Sequence, residues 1–341
     1  MKRMNVAVVG AGIAGLSASR NLAERGHQVT LFEQFPVGHT KGSSHGRSRI
    51  IRRAYSDPYY TECMQEAYPV WKELERSSGS KLIHEVGLLY FGDRDAENVV
   101  SVEEGLKSMR VPYSKVDAKS VQGVFPSLQL NDDEIGIFTP EAGWIDALGA
   151  VAATRELAIS AGVQFVEKHV TSVDLEDYQR VVVTAGPWTK DWWAEAPVTV
   201  TLQTYGYLDL HIQGPVWIED SPDLLYGFPS DPTGMKIGIH RLGPEIDPNS
   251  PDRTPDPQDL EKIVSFGSRR FGRAATLSDS MGCLYTSTAS EDFLLSQLDE
   301  RTLLASACSG HGFKFGPWFG RLLANITEGR DDVACYSRFM A

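Results

Sequence analysis

What this sequence lacks narrows it first. Its 341 residues carry 33 Lys and Arg against 45 Asp and Glu, for a net charge of −12. That shortage of positive charge argues against general binding to nucleic acid or to an anionic membrane surface. The four cysteines, Cys63, Cys283, Cys308 and Cys335, form no Cys-x-x-Cys pair. Their spacing suggests neither a metal centre nor a disulfide framework, so a cytoplasmic, reducing setting is expected. No apolar run is long enough to span a bilayer. Lys2 and Arg3 ahead of the apolar run 5–18 outline a signal peptide. The glycine spacing inside that run and the strand that follows give it a better explanation. No internal repeat or low-complexity tract is present.

What remains is a globular chain, 42% hydrophobic and long enough for two domains. Residues 5–9 read as a buried parallel strand, 13–25 as a helix stopped by Gly26, and 28–32 as a second strand, a βαβ opening. A Gly- and Ser-rich loop follows over 38–48. Helices are expected at 57–77, 97–109, 146–161 (stopped by Gly162), 258–271 and 318–327. Strands are expected at 86–91, 136–138, 181–186 and 303–307, with a turn at 140–143. From 198 to 212, and on through 239, the texture is that of antiparallel sheet. Residues 247–256 read as a loop. The nucleotide-binding texture opens the chain, returns near Ala147 and returns again after Thr302, so that domain is expected to be discontinuous.

Four segments carry chemistry. The first is Gly10-Ala11-Gly12-Ile13-Ala14-Gly15 between strand and helix, with Glu33 closing the next strand. Gly10 suits the tight turn, Gly12 the approach of backbone to a pyrophosphate, and Gly15 the packing of helix on strand. The helix N-terminus offers free N–H groups to phosphate and Glu33 an acceptor for ribose hydroxyls. This motif does not choose between FAD and NAD. The second is the run from Gly42 to Arg53, with Arg47, Arg49, Arg52 and Arg53 around the apolar pair Ile50-Ile51. Arg49 and Arg52, three apart, could share a face of a helical turn and hold an anion. The third is Met235-Lys236-Ile237-Gly238-Ile239-His240. As a strand it puts Lys236, Gly238 and His240 on one face and Met235, Ile237 and Ile239 in the core. The fourth is Ser309-Gly310-His311-Gly312-Phe313-Lys314-Phe315-Gly316, where three glycines suggest backbone close to a ligand.

With Tyr226-Gly-Phe-Pro-Ser230 and Cys283-Leu-Tyr-Thr286, these segments resemble, in order along nearly the whole chain, the monomeric sarcosine oxidase family. That family includes N-methyltryptophan, pipecolate and fructosyl amino acid oxidases and lies within the D-amino-acid-oxidase-like flavoproteins. The resemblance implies an α/β fold: a Rossmann-like FAD-binding domain with a parallel sheet (1–84, 145–197 and 290–341) plus an antiparallel-sheet substrate domain (85–144 and 198–289). It implies FAD contacts at Gly10, Gly12, Ile13, Ala14, Gly15, Glu33, Gln34, Ser43, Ser48, Arg49, Val170, Gly186, Trp188, Gly310, Gly312, Phe313 and Lys314. It also implies a covalent flavin bond through Cys283.

By the same resemblance Lys236 activates O2 and His240 is an active-site histidine. Arg52 and Lys314 clamp the carboxylate of a small amino-acid-like substrate, and Arg49 lies over the flavin. His311 and Tyr226 line the pocket, joined by Tyr285 and Gly310. The implied enzyme is a monomeric oxidase of a secondary amine, such as an N-methyl or N-substituted amino acid, giving imine and hydrogen peroxide. No metal, nucleic acid or membrane partner is implied. Rival readings are a fructosyl amino acid, pipecolate-like or biosynthetic-intermediate oxidase, an FAD dehydrogenase with a protein acceptor, and a non-catalytic flavin-binding protein. The chain departs from the family pattern between His169 and Val181, where a hairpin is missing, and the Tyr226–Lys236 spacing is tight. The adenine-side contacts and the pocket roof are expected to differ accordingly.

Overall fold

The computed structural model describes residues 2–240 and 243–340. Asn5–Val9 is the pivot of a six-stranded sheet. Its order is Leu294–Gln297, Thr302–Ser306, Arg180–Val183, Asn5–Val9, Gln28–Glu33 and Gln164–Glu167. All neighbours are parallel except the outer pair Leu294–Gln297 and Thr302–Ser306. The inner strands are Val-rich because both faces are covered. The helices Ile13–Glu24, Ala147–Ser160 and Gly316–Thr327 belong to the core that includes Val6, Val8, Leu16, Leu31 and Phe319.

The second sheet has eight strands, in the order Leu277–Ser287, Thr199–Leu208, Met235–Ile239, Leu225–Gly227, Val216–Glu219, Leu88–Asp93, Glu134–Thr139 and Ser114–Val116. It is antiparallel apart from one parallel pair, Val216–Glu219 with Leu88–Asp93. Met235, Ile237 and Ile239 are in its core, as their alternation predicts. The helix Pro257–Phe271 packs against that core through Ile263, Phe266 and Phe271.

A third sheet of three short strands, Ser48–Ile51, Gly143–Asp146 and Ile83–Glu85, lies apart from both. It corrects the sequence reading of the arginine run. Ser48–Ile51 is a strand, not a helical turn, because Ile50 and Ile51 follow the pleat and pair with Trp144 and Gly143. The segment 170–180 holds a single 3-10 turn, Val173–Leu175, so the edge strand Gln164–Glu167 reaches Arg180–Val183 without a hairpin.

Helix ends were legible in the sequence. The side chains of Asp57, Asp146 and Asp256 accept from first-turn N–H groups, and Gly79 and Gly272 end helices in the left-handed region. An ion cluster not foreseen fixes the helix Pro257–Phe271 to the sheet. Arg270, 4% exposed, donates to Glu134 at 2.7 and 2.5 Å and to Glu219 from Nε at 3.1 Å. Arg270→Ala is expected to destabilise the fold by about 3–5 kcal/mol, because it strands two buried carboxylates. Denaturant unfolding checks this, and a loss below about 1 kcal/mol contradicts it.

Candidate active site

Where Asn5–Val9 gives way to its helix, the glycines do what their spacing suggests. Gly10 has φ +94°, and a Cβ there would lie 2.4 Å from the Thr184 carbonyl oxygen. A Cβ on Gly15 would meet Gly10 O at 1.9 Å. The helix begins at Gly12 with no side-chain cap. Ser44 stands across from it, accepting from Ile13 N–H at 3.1 Å. Glu33 is buried and accepts from Ala11 N–H at 2.8 Å and Phe35 N–H at 3.1 Å. Burial works to raise its carboxyl, but His39 and those N–H groups overcome this and hold it below the usual range.

A cleft opens beside this turn. Its walls include Gly10, Gly12, Ile13, Ala14, Gly15, Glu33, Gln34, Ser43, Val170, Gly186 and Trp188. A second cleft is lined by Ser43, Ser48, Arg49, Arg52, Tyr226, Lys236, His240, Cys283, Tyr285, Gly310, His311, Gly312, Phe313 and Lys314. Each residue expected to contact flavin or substrate lies on one wall or the other, whereas Arg47, Arg53 and Gly238 of the same segments line neither. Ile13, Ser43, Ser44, Ala307 and Cys308 line both clefts, which sets the two side by side. Two adjoining clefts in this arrangement suit an elongated molecule lying along both.

The second cleft is cationic. Arg49, Arg52, Lys236 and Lys314 line it, and no Asp or Glu does among the described residues. Nor does any of the four form an ion pair there. They lean instead on carbonyls and aromatic faces. Arg49 donates to Ser48 O at 2.9 Å, Ser43 O at 3.1 Å and His45 O. Arg52 donates to Ala54 O and lies 3.9 Å from the Tyr55 ring centre. Lys314 donates to His311 O at 2.9 Å. Lys236 has only a long contact to Ser48 O, 3.4 Å, and sits 4.4 Å from the Tyr205 ring centre.

This crowding shapes the protonation states. Burial first, and then the Arg49 charge, bring Lys236 down to about 7, with Cys283 and Asp231 pulling the other way. Lys314 falls well below its usual value through burial and the charges of Arg52 and Arg49. His240 drops to about 4 through burial and the charges of Arg52 and Lys314, so it is neutral near pH 7. His311 is lowered too, by burial and Lys314. Glu291 O, an acceptor only, lies 3.0 Å from His311 Nε2. The proton is therefore on Nε2, and Nδ1 faces the Tyr55 hydroxyl at 3.5 Å. Burial pushes the Cys283 thiol up, although Arg49, Lys236 and Arg253 oppose it.

Close backbone approach builds the remaining wall. A Cβ on Gly238 would fall 2.5 Å from the Tyr226 hydroxyl, so the glycine lets Tyr226 lie across the strand between Lys236 and His240. Gly310, at φ +70°, leaves no space for a Cβ between Tyr285 and His240, which would stand 2.4 and 2.6 Å away. His240 Nδ1 and the Tyr285 hydroxyl are 3.3 Å apart.

The profile of the FAD dependent oxidoreductase (DAO) family matches residues 5–326. The chain belongs to this family. Human peroxisomal sarcosine oxidase is 29% identical over 94% of this chain and 91% of its own. Monomeric sarcosine oxidase of Bacillus sp. strain B-0618 is 28% identical over 98% and 95%. N-methyl-L-tryptophan oxidase of Yersinia pestis is 26% identical over 97% of each. Among solved structures, NikD, an amino acid oxidase essential for nikkomycin biosynthesis, superposes with a TM-score of 0.84 at 23% identity. That superposition covers 100% of this chain and 98% of NikD, and it bears on the fold alone.

The residues present fit the family's cofactor. The glycine turn, the helix start beside Ser44 and the buried Glu33 would hold the dinucleotide end of FAD. The cationic cleft would hold its ring end. Sequence reasoning missed Ser44 and Cys308, which line both clefts, and His45, Tyr205 and Phe228. Ser44 was within reach, since Ser43-Ser44 stands in the Gly-rich loop. Phe228 was within reach too, two residues after Tyr226 in a segment already singled out, whereas Tyr205 carries no local signal, because only the strand register brings it to Lys236. Glu33→Gln is expected to weaken FAD retention about 10–100-fold, the worth of a charge-assisted hydrogen bond. Fluorescence titration of the refolded apoprotein, with Cys283→Ala in both arms so that the flavin can be removed, checks this, and unchanged affinity contradicts the assignment.

Proposed function

We propose that this FAD-dependent oxidoreductase is an oxidase of a secondary amino acid, such as an N-methyl or otherwise N-substituted one, with O2 as acceptor. The observation that carries the reading is the cleft with four cationic side chains and no carboxylate to balance them. Such a site is complete only with an anion in it, and a substrate carboxylate between Arg52 and Lys314 is the simplest one. The relatives' names, sarcosine oxidase and N-methyl-L-tryptophan oxidase, agree with that chemistry.

Bound FAD would supply the redox step, accepting a hydride equivalent (two electrons and one proton) from the carbon beside nitrogen; with the proton released from that nitrogen, these would reduce O2 to hydrogen peroxide. The chain's own residues do the rest. Arg52 and Lys314 fix the carboxylate. Neutral His240 and His311 add no further positive charge beside the amine, which favours the unprotonated amine that oxidation requires. Tyr226 and Tyr285 close the wall over Gly238 and Gly310. Lys236 offers a buried ammonium where negative charge develops on oxygen. Cys283, on the cleft wall at 9% exposure, is the thiol we assign to a covalent bond with the flavin, and the charges of Arg49 and Lys236 oppose the burial that keeps it protonated.

We further propose the division into a nucleotide domain (1–84, 145–197, 290–341) and a substrate domain (85–144, 198–289). The six-stranded sheet draws only on the first set and the eight-stranded sheet only on the second. The small three-stranded sheet straddles both boundaries near 84 and 144. Four free thiols suit the cytoplasm. No described helix is long and apolar enough to cross a membrane.

A panel of N-methyl amino acids is expected to bleach the enzyme's visible absorbance without air and to yield peroxide with it. No response to any member contradicts the reading. Lys236→Met is expected to slow the reaction of reduced enzyme with oxygen about 10²–10³-fold, the cost of losing one preorganised charge. Because burial lowers Lys236 to about 7, its ammonium is present below that pH and lost above it. The oxygen rate is therefore expected to fall as pH rises through the Lys236 pKa, about 7 in the empty cleft and higher beside a bound anion, and a flat profile from pH 6 to 10 contradicts this role.

A further inference from the structure

The proposed oxidase reading leaves open what the substrate carries beyond its amine and carboxylate. The second cleft has a face the clamp does not use. Ile50, Ile218 and Leu224 line it, together with Tyr226 and Phe228. These five are not among the residues that the nucleotide cleft shares. They belong to one apolar cluster, where Ile218 and Phe228 are buried and Ile50, Leu224 and Tyr226 are half-buried against it.

The fold brings them together from three elements. Ile50 stands two residues before Arg52, at the end of Ser48–Ile51. Ile218 pairs directly with Tyr226 across adjacent strands. Leu224 precedes that strand in a strained conformation, with φ +44° and not a glycine. Its N–H donates to Ser221 O at 2.9 Å, and its carbonyl accepts from His240 N–H at 3.3 Å. Backbone strain of this kind persists only where the surroundings over-determine it, and it clusters at binding sites. Here it ties Leu224 to the backbone of His240 and sets its side chain on the wall of the same cleft.

We infer that this enzyme's substrate is an N-substituted amino acid with one carboxylate and a branched aliphatic or other apolar side chain, seated against Ile50, Ile218 and Leu224. A substrate without a side chain, such as an N-alkylglycine, leaves that face wet. A substrate with a side-chain ammonium meets four cations and no acid. A side-chain hydroxyl finds no charged or amide partner among the three aliphatic residues. One methylene in an apolar pocket is worth about 10-fold or more in specificity, so N-methyl-leucine is expected to exceed sarcosine by at least ~10-fold in kcat/KM. N-methyl-lysine is expected to fall below both.

The test uses the holoenzyme and two measurements. The first is kcat/KM, by peroxide release, for sarcosine, N-methyl-leucine and N-methyl-lysine. The second needs no turnover: calorimetric affinity for acetate and for 4-methylpentanoate. The expected result is tighter binding of 4-methylpentanoate by about 10-fold or more. In Leu224→Ala, with its flavin spectrum retained as a check on folding, both the leucine-to-sarcosine ratio and the ratio of the two affinities are expected to shrink. Equal binding of the two carboxylates, or a preference for sarcosine, overturns the inference and leaves the oxidase reading standing. Failure of either carboxylate to bind, with no amine oxidised, overturns the oxidase reading itself.

Discussion

Uncompensated positive charge in a buried cleft is the constraint on which the rest of this structure depends. Burying a cation without a partner is costly. This chain does it with Lys236 and Lys314, beside the half-buried Arg49 and Arg52, around one space. Two of these, Lys236 and Lys314, respond by giving up part of their basicity. An anion entering the cleft would reverse that trend and restore their charge. Ligand affinity and protonation are in this way coupled through the same few side chains.

The scaffold supports the charges with groups that do not neutralise them. Carbonyls of Ser43, His45 and Ser48 hold Arg49, and the carbonyl of His311 holds Lys314. These acceptors orient the cations and leave them available to a ligand. Each side of the cleft comes from a different part of the fold: the small third sheet, the strand carrying Lys236, the long strand carrying Cys283, and the turn at 309–312. Gly238 and Gly310 let those parts approach closely enough to share one cavity.

Much of this was legible in the sequence, for physical reasons. The glycine turn needs a positive φ at Gly10 and contact at Gly15, and few residues other than glycine meet those demands. Alternation around Ile237 reported a strand face correctly, because one face is buried in the core. The arginine run was misread as a helical turn. Its local i, i+3 spacing is ambiguous, and only pairing with Gly143–Asp146 decides for a strand. The expected antiparallel sheet contains one parallel pair, because the strand Val216–Glu219 reaches across to Leu88–Asp93, far away in sequence. Tyr205, which flanks Lys236, and the ion cluster on Arg270 were invisible for the same reason. Burial and charge pairing across long separations leave no local pattern.

The central claim is that a carboxylate completes this cleft. The measurement that bears on it most directly compares an N-methyl amino acid with its primary amide as substrates of the holoenzyme. The two differ only in the negative charge that Arg52 and Lys314 would meet. Oxidation of the acid with a loss of roughly 100-fold or more in kcat/KM for the amide is predicted, since the clamp's charge-assisted bonds would be lost. Equal turnover of acid and amide would contradict the account.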